Sequence, residues 1–310
     1  MNWQVGEPTD EVDLDVLLSG TIAWPGADRV RAIFAVARGT CSRQLVVGLG
    51  DELVGYGHCL TAPLSDGGRA GVHVFVAPSA RGQGIGCSLW RQLLAVARCA
   101  AVAGVQTFAD VEDQRSCSIA AAHGLIEGPV RRESILELAL LSDAAIEQAV
   151  GHVSDAGVSL ALFGSGSEDA RQRLYEDFLP LFGSTPDGVA GREPPPYETW
   201  RSGFTEPWQV LVARRGKTTV GMTIAFARKD LASRVVTFFT GVAAAERGKG
   251  IATALKAEHA RLMRNAGWEH LSTWNMEGNV TILAANSKLG FVTTTRAVPL
   301  TFDFEPQADS

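Results

Sequence analysis

The sequence predicts an α/β (α+β) chain of two domains in tandem. Three observations carry this reading. The 310 residues suffice for two cores of ordinary size. A long stretch of the chain is repeated: Val76, Arg81, Gly84 and Gly124 correspond to Val242, Arg247, Gly250 and Gly290, each pair 166 positions apart. In both copies alternating strands lead into a glycine-rich turn and then a helix-period segment. The period is far longer than the ~20–50 residues of a solenoid, so it marks duplicated domains.

The elements follow in order. QLVVGLG and ELVGYGHCLT read as strands joined at a turn at Asp51, and GVHVFVA as an alternating strand after them. Beyond RGQGIG, the residues Ile85, Leu89, Leu93, Val96 and Ala100 recur at helical spacing, with Gly104 as the stop. VQTFADV is the next strand, and Ser116 to His123 a short helix. In the second copy WQVLVARR, TTVGMTIAFAR and RVVTFFTGV are strands. Ile251, Leu255, Leu262 and Ala266 mark a helix closed by Gly267. EHLSTWN is a strand, Val280 to Leu289 a helix, and TTTRAVPLTFDF a final strand or hairpin. Two helices, over Asp169–Phe182 and Tyr197–Phe204, precede the second copy's central strands. STPDGVAGREPPPYETW, rich in Pro and Gly, predicts a long loop over an acceptor site. The boundaries are 1–140 for the first domain, 141–157 for a linker with a modest helix, and 158–310 for the second.

Composition narrows the function classes. Hydrophobic residues make up 46% and charged residues 20%, the balance of a soluble globular protein. A formal net charge of −6 provides no basic field for nucleic acid. The acidic, polar start argues against a signal peptide, and no apolar run reaches the ~20 residues of a membrane span. The expectation is a cytoplasmic protein without nucleic-acid or membrane partners, monomeric or homodimeric. Five cysteines, Cys41, Cys59, Cys87, Cys99 and Cys117, form no CxxC pair, so neither a disulfide framework nor a metal site is expected.

The chemistry lies in V-x-x-x-x-R-G-(Q/K)-G-I-(G/A), found at a strand-to-helix junction in both copies. Its glycines permit a sharp turn and leave N–H groups uncovered at a helix N-terminus, where unpaired donors and the helix dipole favour a phosphate. Arg81 or Arg247 adds a fixed positive charge. A pyrophosphate cradle is expected at Arg81, Gly82, Gln83, Gly84, Ile85 and Gly86. Its counterpart is Arg247, Gly248, Lys249, Gly250, Ile251 and Ala252. The spacing matches neither GxxxxGK[ST] nor GxGxxG, so nucleotide hydrolysis and dinucleotide binding are not indicated.

With these residues the sequence resembles the GNAT superfamily of acyl-CoA-dependent N-acetyltransferases. The matching pieces are VAPSARGQGIG and VAAAERGKGIATALK, with NVTILAANSKLGF downstream of the second. The resemblance implies two mixed, mostly antiparallel sheets, each splayed between its fourth and fifth strands. Acetyl-CoA is implied as co-substrate, its pantetheine arm held by N–H groups near Val74, Val76, Thr240 and Val242. Asn279 and Asn286 are added as CoA-binding candidates. Mycothiol synthases are a precedent for two such domains, one of them mainly catalytic.

Acetyl transfer needs a deprotonated amine, donors for the thioester oxygen and a proton for the departing thiolate. The family's usual tyrosine acid is replaced by Ala120 and Asn286, and its usual glutamate by His73 and Phe239. His73 is therefore the candidate base of the first copy, and Asn286 the candidate polar residue of the second. Glu198, Tyr197 and Glu277 are possible acceptor contacts, and Trp200, Trp208 and Trp274 possible pocket walls. The expected activity is acetyl transfer to a primary amine of a small molecule, with the chemistry in the second domain. Protein or peptide N-acetylation and non-catalytic acyl-CoA sensing are the alternatives.

Overall fold

The computed structural model describes residues 3–6, 41–49, 52–61, 68–100, 102–164, 166–204, 206–227 and 233–305. The turn expected at Asp51 lies outside them. The chain forms two compact units, one of residues 1–128 with 298–310, the other of 129–297.

The first unit contains β1 (Gln4–Gly6), β2 (Cys41–Leu49), β3 (Glu52–Leu60), β4 (Arg69–Val76), α1 (Ile85–Cys99), β5 (Gly104–Asp110), α2 (Gln114–Ala122) and β6 (Ile126–Glu127). β1 to β4 pair antiparallel in order, and β5 joins β4 in parallel. Strand β1, not read from the sequence, makes β4 the fourth strand. α1 buries Ile85, Leu89, Leu93 and Ala97, an i, i+4 stripe that packs on Ala70, Val72 and Val105. Ala97 closes this stripe where Ala100 was expected; Ala100 is the exposed C-cap. Gly104 does not end the helix but opens β5, where the chain has already turned back to the sheet.

The last residues of the chain complete this unit. β13 (Val292–Asp303) is one continuous strand, and its end, Leu300 and Thr301, pairs with Glu127 and Ile126 of β6. Phe304 N–H donates to the Ala103 carbonyl at 2.9 Å. The approach to β5 is close: a Cβ on Gly104 would lie 2.9 Å from Asp303 Cα, with the Phe302 carbonyl also in its way. Gly104→Ala is expected to destabilise the first unit by about 2–3 kcal/mol, because backbone cannot yield as a side-chain tip can. Chemical denaturation checks this, and an unchanged midpoint would mean the C-terminal residues do not lie against β5 in solution.

The second unit starts with β7 (Arg131–Glu137) and α3 (Asp143–Asp155), capped by the Ser142 hydroxyl. β8 (Ser159–Leu162), α4 (Glu168–Gly183), α5 (Pro186–Val189) and α6 (Tyr197–Ser202) follow. The stretch expected as a long loop thus folds partly into α5, capped by Thr185, and α6. Then come β9 (Val210–Arg215), β10 (Thr218–Ala227), β11 (Arg234–Val242), α7 (Ile251–Asn265), β12 (His270–Met276) and α8 (Val280–Lys288). β8 to β11 pair antiparallel in order, and β12 joins β11 in parallel. β7 pairs with β12 although it follows the first repeat in sequence, and the first half of β13 pairs with β7. α7 buries Ile251, Ala254 and Leu255, then Ala257, Ala260 and Met263 against the sheet and α3. Leu262 is only partly buried and Ala266 is the exposed C-cap, while Gly267, at φ 87°, closes the helix as expected.

Candidate active site

Both glycine-rich turns are built alike. After β4 a 3₁₀ turn, Pro78–Ala80, leads to Arg81, and Gly82 and Gly84 both stand at φ 82°. After β11 the turn Ala244–Glu246 leads to Arg247, and Gly248 and Gly250 stand at φ 78° and 79°. These left-handed positions disfavour any side chain, which is the local reason for glycine at each. The first helical bond in α1 runs from Ser88 N–H to the Gly84 carbonyl, and in α7 from Ala254 N–H to the Gly250 carbonyl. The N–H groups of Ile85, Gly86 and Cys87, and of Ile251, Ala252 and Thr253, thus precede the helical ladder. Each arginine folds back to the end of its strand, Arg81 Nε to the Val76 carbonyl at 3.0 Å and Arg247 Nε to the Val242 carbonyl at 3.2 Å.

The surroundings of the two turns differ. Among the described residues, a Cβ built on Gly82 or Gly84 of the first turn, or on Gly248 of the second, meets nothing within 4 Å. At Gly250 a Cβ would lie 3.0 Å from His152 Cδ2, because α3 lays its imidazole against the turn. Arg247 also donates to the Ser184 carbonyl at 2.6 Å. Glu246 stands where the first copy has the buried Ala80. Hydrogen bonds from Arg215 and from Lys249, at 3.0 and 3.1 Å, hold its carboxyl below the usual range and ionised. The second turn therefore places a carboxylate and a ring beside the helix N-terminus.

Each sheet splays beyond its cradle. β4 pairs with β5 from Arg69 to Gly71 and no further, leaving Val72–Val76 and Thr107–Asp110 apart. β11 pairs with β12 from Arg234 to Thr237, leaving Phe238–Val242 and Trp274–Met276 apart. Ala77 N–H donates to the Val54 carbonyl of β3 at 2.8 Å, so by alternation the N–H groups of Val74 and Val76 face the open side. Ala243 N–H donates to the Val220 carbonyl at 2.9 Å, which turns those of Thr240 and Val242 the same way. These are outward donors at the positions expected to polarise a carbonyl.

The cleft faces away from α1 and α7 are unlike each other. In the first copy Ala70 and Val72 pack on α1, so His73 and Phe75 point to the opposite face. His73 is 9% exposed, and its Nδ1 lies 3.3 Å from the Thr107 hydroxyl across the start of the splay. Its ring lies 5.0 Å from that of His58, its partner on β3, and 6.5 Å from Phe108. In the second copy Phe239 takes the corresponding place and packs with Phe178 and Phe182 of α4, at 4.9 and 6.3 Å between centroids. Its Cε1 lies 3.0 Å from a Cβ built on Gly241, so the ring covers the strand. No titratable side chain takes part in that aromatic cluster among its described buried residues.

Asn286 is 2% exposed and donates to Asn275 Oδ1 at 3.0 Å. Asn279 is the N-cap of α8, its oxygen accepting from Ile282 N–H, as its repeat counterpart Asp113 caps α2. Glu277 ion-pairs with Arg132 and Arg296, Glu198 with Arg201, and Tyr197 donates to Glu168. Trp200 lies in the aromatic core around Phe178, and Trp208 packs beside Trp268. Cys87, Cys99 and Cys117 are free thiols. Among the described residues no cluster of three His, Cys, Asp or Glu side chains is placed to hold a metal, and no helix is long and apolar enough to cross a membrane. Sequence reading missed His58, Thr107, His152 and Glu246. Strand alternation alone points to His58 and His73 sharing a face; nothing local announces His152.

Residues 19–124, which contain the first glycine-rich turn and His73, match the model of the acetyltransferase (GNAT) family. The chain carries the GNAT fold in tandem. A GCN5-related N-acetyltransferase from Sphaerobacter thermophilus superposes with a TM-score of 0.75 at 18% identity, covering 99% of this chain and 98% of that one. A tandem GNAT protein from the clavulanic acid biosynthesis pathway gives 0.65 at 18% identity, with 99% of each chain covered. The glucosamine N-acetyltransferase region of a fungal multi-domain β-N-acetylglucosaminidase gives 0.72 at 15% identity, covering 97% of this chain and 38% of that one. No curated protein sequence matches the chain. The general chemistry of the GNAT family is acyl transfer.

Proposed function

We propose that the protein transfers an acetyl group from acetyl-CoA to a primary amine of a small molecule, and that the first copy does the work. The repeats are read as domains 1–140 and 158–310 joined by 141–157. The observation that carries the assignment is the convergence, in one cleft, of an open cradle, outward strand donors and a histidine. The sequence pattern pointed instead to the second copy, whose helix-and-strand signature is fuller. There, Glu246 holds Lys249 in an ion pair, His152 lies against the turn, and Phe239 fills the place of a base.

In this reading Arg81 and the N–H groups of Gly82 to Gly86 bind the diphosphate. The N–H groups of Val74 and Val76 hold the pantetheine amides and stabilise charge on the thioester oxygen. With its Nδ1 3.3 Å from the Thr107 hydroxyl, at the start of the splay, His73 is the base. It takes the ammonium proton, the free amine attacks the thioester carbon, and the carbon–sulfur bond breaks as the amide forms, the departing thiolate taking the proton that the amide nitrogen sheds. The setting of His73, nearly buried beside Phe75 and Phe108, fits a small amine better than the lysine of a folded protein.

Calorimetric titration of acetyl-CoA into wild type, Gly84→Glu and Gly250→Glu tests the assignment. One site, lost with Gly84→Glu and kept with Gly250→Glu, is expected; a panel of amines then identifies the acceptor. Loss with Gly250→Glu alone would return the chemistry to the second copy, and no binding by a folded wild type would overturn the acetyltransferase reading. A second reading has its own support: Asn286 Oδ1 and Thr237 Oγ1 are buried without partners in the second copy, as in a site that takes a ligand without turning it over. A second site surviving Gly84→Glu would favour it.

A further inference from the structure

The first cleft contains a side chain that the chemistry above does not use. His58 lies on β3, directly opposite His73 of β4, and is wholly buried. Both of its ring nitrogens lack a hydrogen-bond partner. A neutral imidazole has one donor and one lone pair, and leaving either buried and unmet costs about 1–3 kcal/mol. An apolar residue of similar size would avoid that cost, so nothing in the packing alone accounts for a histidine here. Its ring lies 5.0 Å from the His73 ring, tilted by 35°, and 5.4 Å from Tyr56.

Around the pair, β3 contributes Tyr56, β4 Phe75, β5 Thr107 and Phe108, and β2 places Gln44 opposite His58. Among these described neighbours the one other titratable group is the Tyr56 phenol. Burial holds the His58 imidazole down to about 4, so it stays neutral while its neighbour changes charge. A neutral ring with an unmet lone pair next to a forming cation is a stabilising dipole, strongest where water is excluded.

We propose that His58 is a positioning residue that stabilises the imidazolium His73 forms on taking the acceptor's proton. The inference rests on His73 being the base, as proposed above. The two rings then act as one proton-accepting unit with the charge on the outer ring. No bond other than the N–H bond on His73 is made or broken within the pair.

The test is a side-chain NMR titration of the full chain, following His73 in wild type, His58→Phe and His58→Gln, with fold checked by circular dichroism. His58→Phe is expected to lower the proton affinity of His73 by about tenfold, one unit in the titration midpoint. His58→Gln, whose amide oxygen can still accept, is expected to restore part of it. Acetyl-CoA affinity by calorimetry should be the same in all three. A His73 midpoint that is unchanged or raised in both variants would overturn the proposal; if His58→Phe does not fold, His58→Gln against His58→Leu decides it in the same way. Because the titration needs no substrate, failure of acetyl-CoA binding would count against the proposed function and not against the pair.

Discussion

Replacing His73 by Gln is expected to lower kcat for amine acetylation by about 10²–10⁴-fold, the range lost with a general base. The acetyl-CoA KM should stay within about twofold, because the substitution leaves Arg81 and the backbone donors of the cradle and strand in place. Gln keeps a polar group near the Thr107 hydroxyl but cannot take a proton at neutral pH. The deficit should shrink as pH rises toward the acceptor amine's own value of about 10, since there the free amine is already present. Steady-state kinetics over a pH series measures both effects. A loss below about tenfold that does not change with pH would remove His73 from the chemistry.

The largest stability effect is expected at Lys256. This residue of α7 is 1% exposed, its Nζ has no hydrogen-bond partner, and it stands 5.1 Å from the Phe291 ring. Burial pushes its amine down from 10.5 to about 7. His259, one helical turn on, is likewise pushed down to about 4 by burial, against the hydrogen bond its Nε2 shares with the Trp208 carbonyl at 2.8 Å. With the folded value lowered, the unfolded chain binds more protons between about pH 7 and 10.5, so stability rises with pH across that window and is lost as pH falls. Lys256→Met keeps the length of the chain and removes the amine. It is expected to raise the unfolding free energy at neutral pH by about 2–4 kcal/mol and to flatten the dependence above neutrality. Urea denaturation near neutral and near alkaline pH checks this; a variant less stable than wild type at both would mean that the amine has a partner in solution. His58 and His259 add a second slope, with stability falling as pH drops from 6.5 toward about 4.

Much of the fold was legible because its signals are local. The i, i+4 apolar residues of α1, the alternation in β3 and β4 and the glycines of both cradles each constrain the chain within a few residues. The errors were local too. Gly104 reads as a helix stop, yet it is glycine because the end of β13 passes too close for a Cβ. The Pro- and Gly-rich stretch reads as loop, yet Thr185 supplies a cap and Pro186 a first-turn proline, enough for the short α5. At the site, the left-handed glycines of both strand-to-helix turns could be placed in advance, since their conformation is local. What packs around each turn could not.

By itself the sequence determined that the chain is duplicated and that each copy turns from strand to helix through left-handed glycines. It also placed one histidine on the first copy's fourth strand. Only the tertiary structure brings His152 to Gly250 and Ser184 to Arg247 from distant parts of the chain. It also decided that β7 pairs with β12 and that the end of β13 completes the first unit's sheet. The physical reason is the same in each case. Periodicity records which face of an element is apolar, whereas strand partners and ring-to-ring contacts depend on which faces meet, and no residue pattern within one segment encodes its partner.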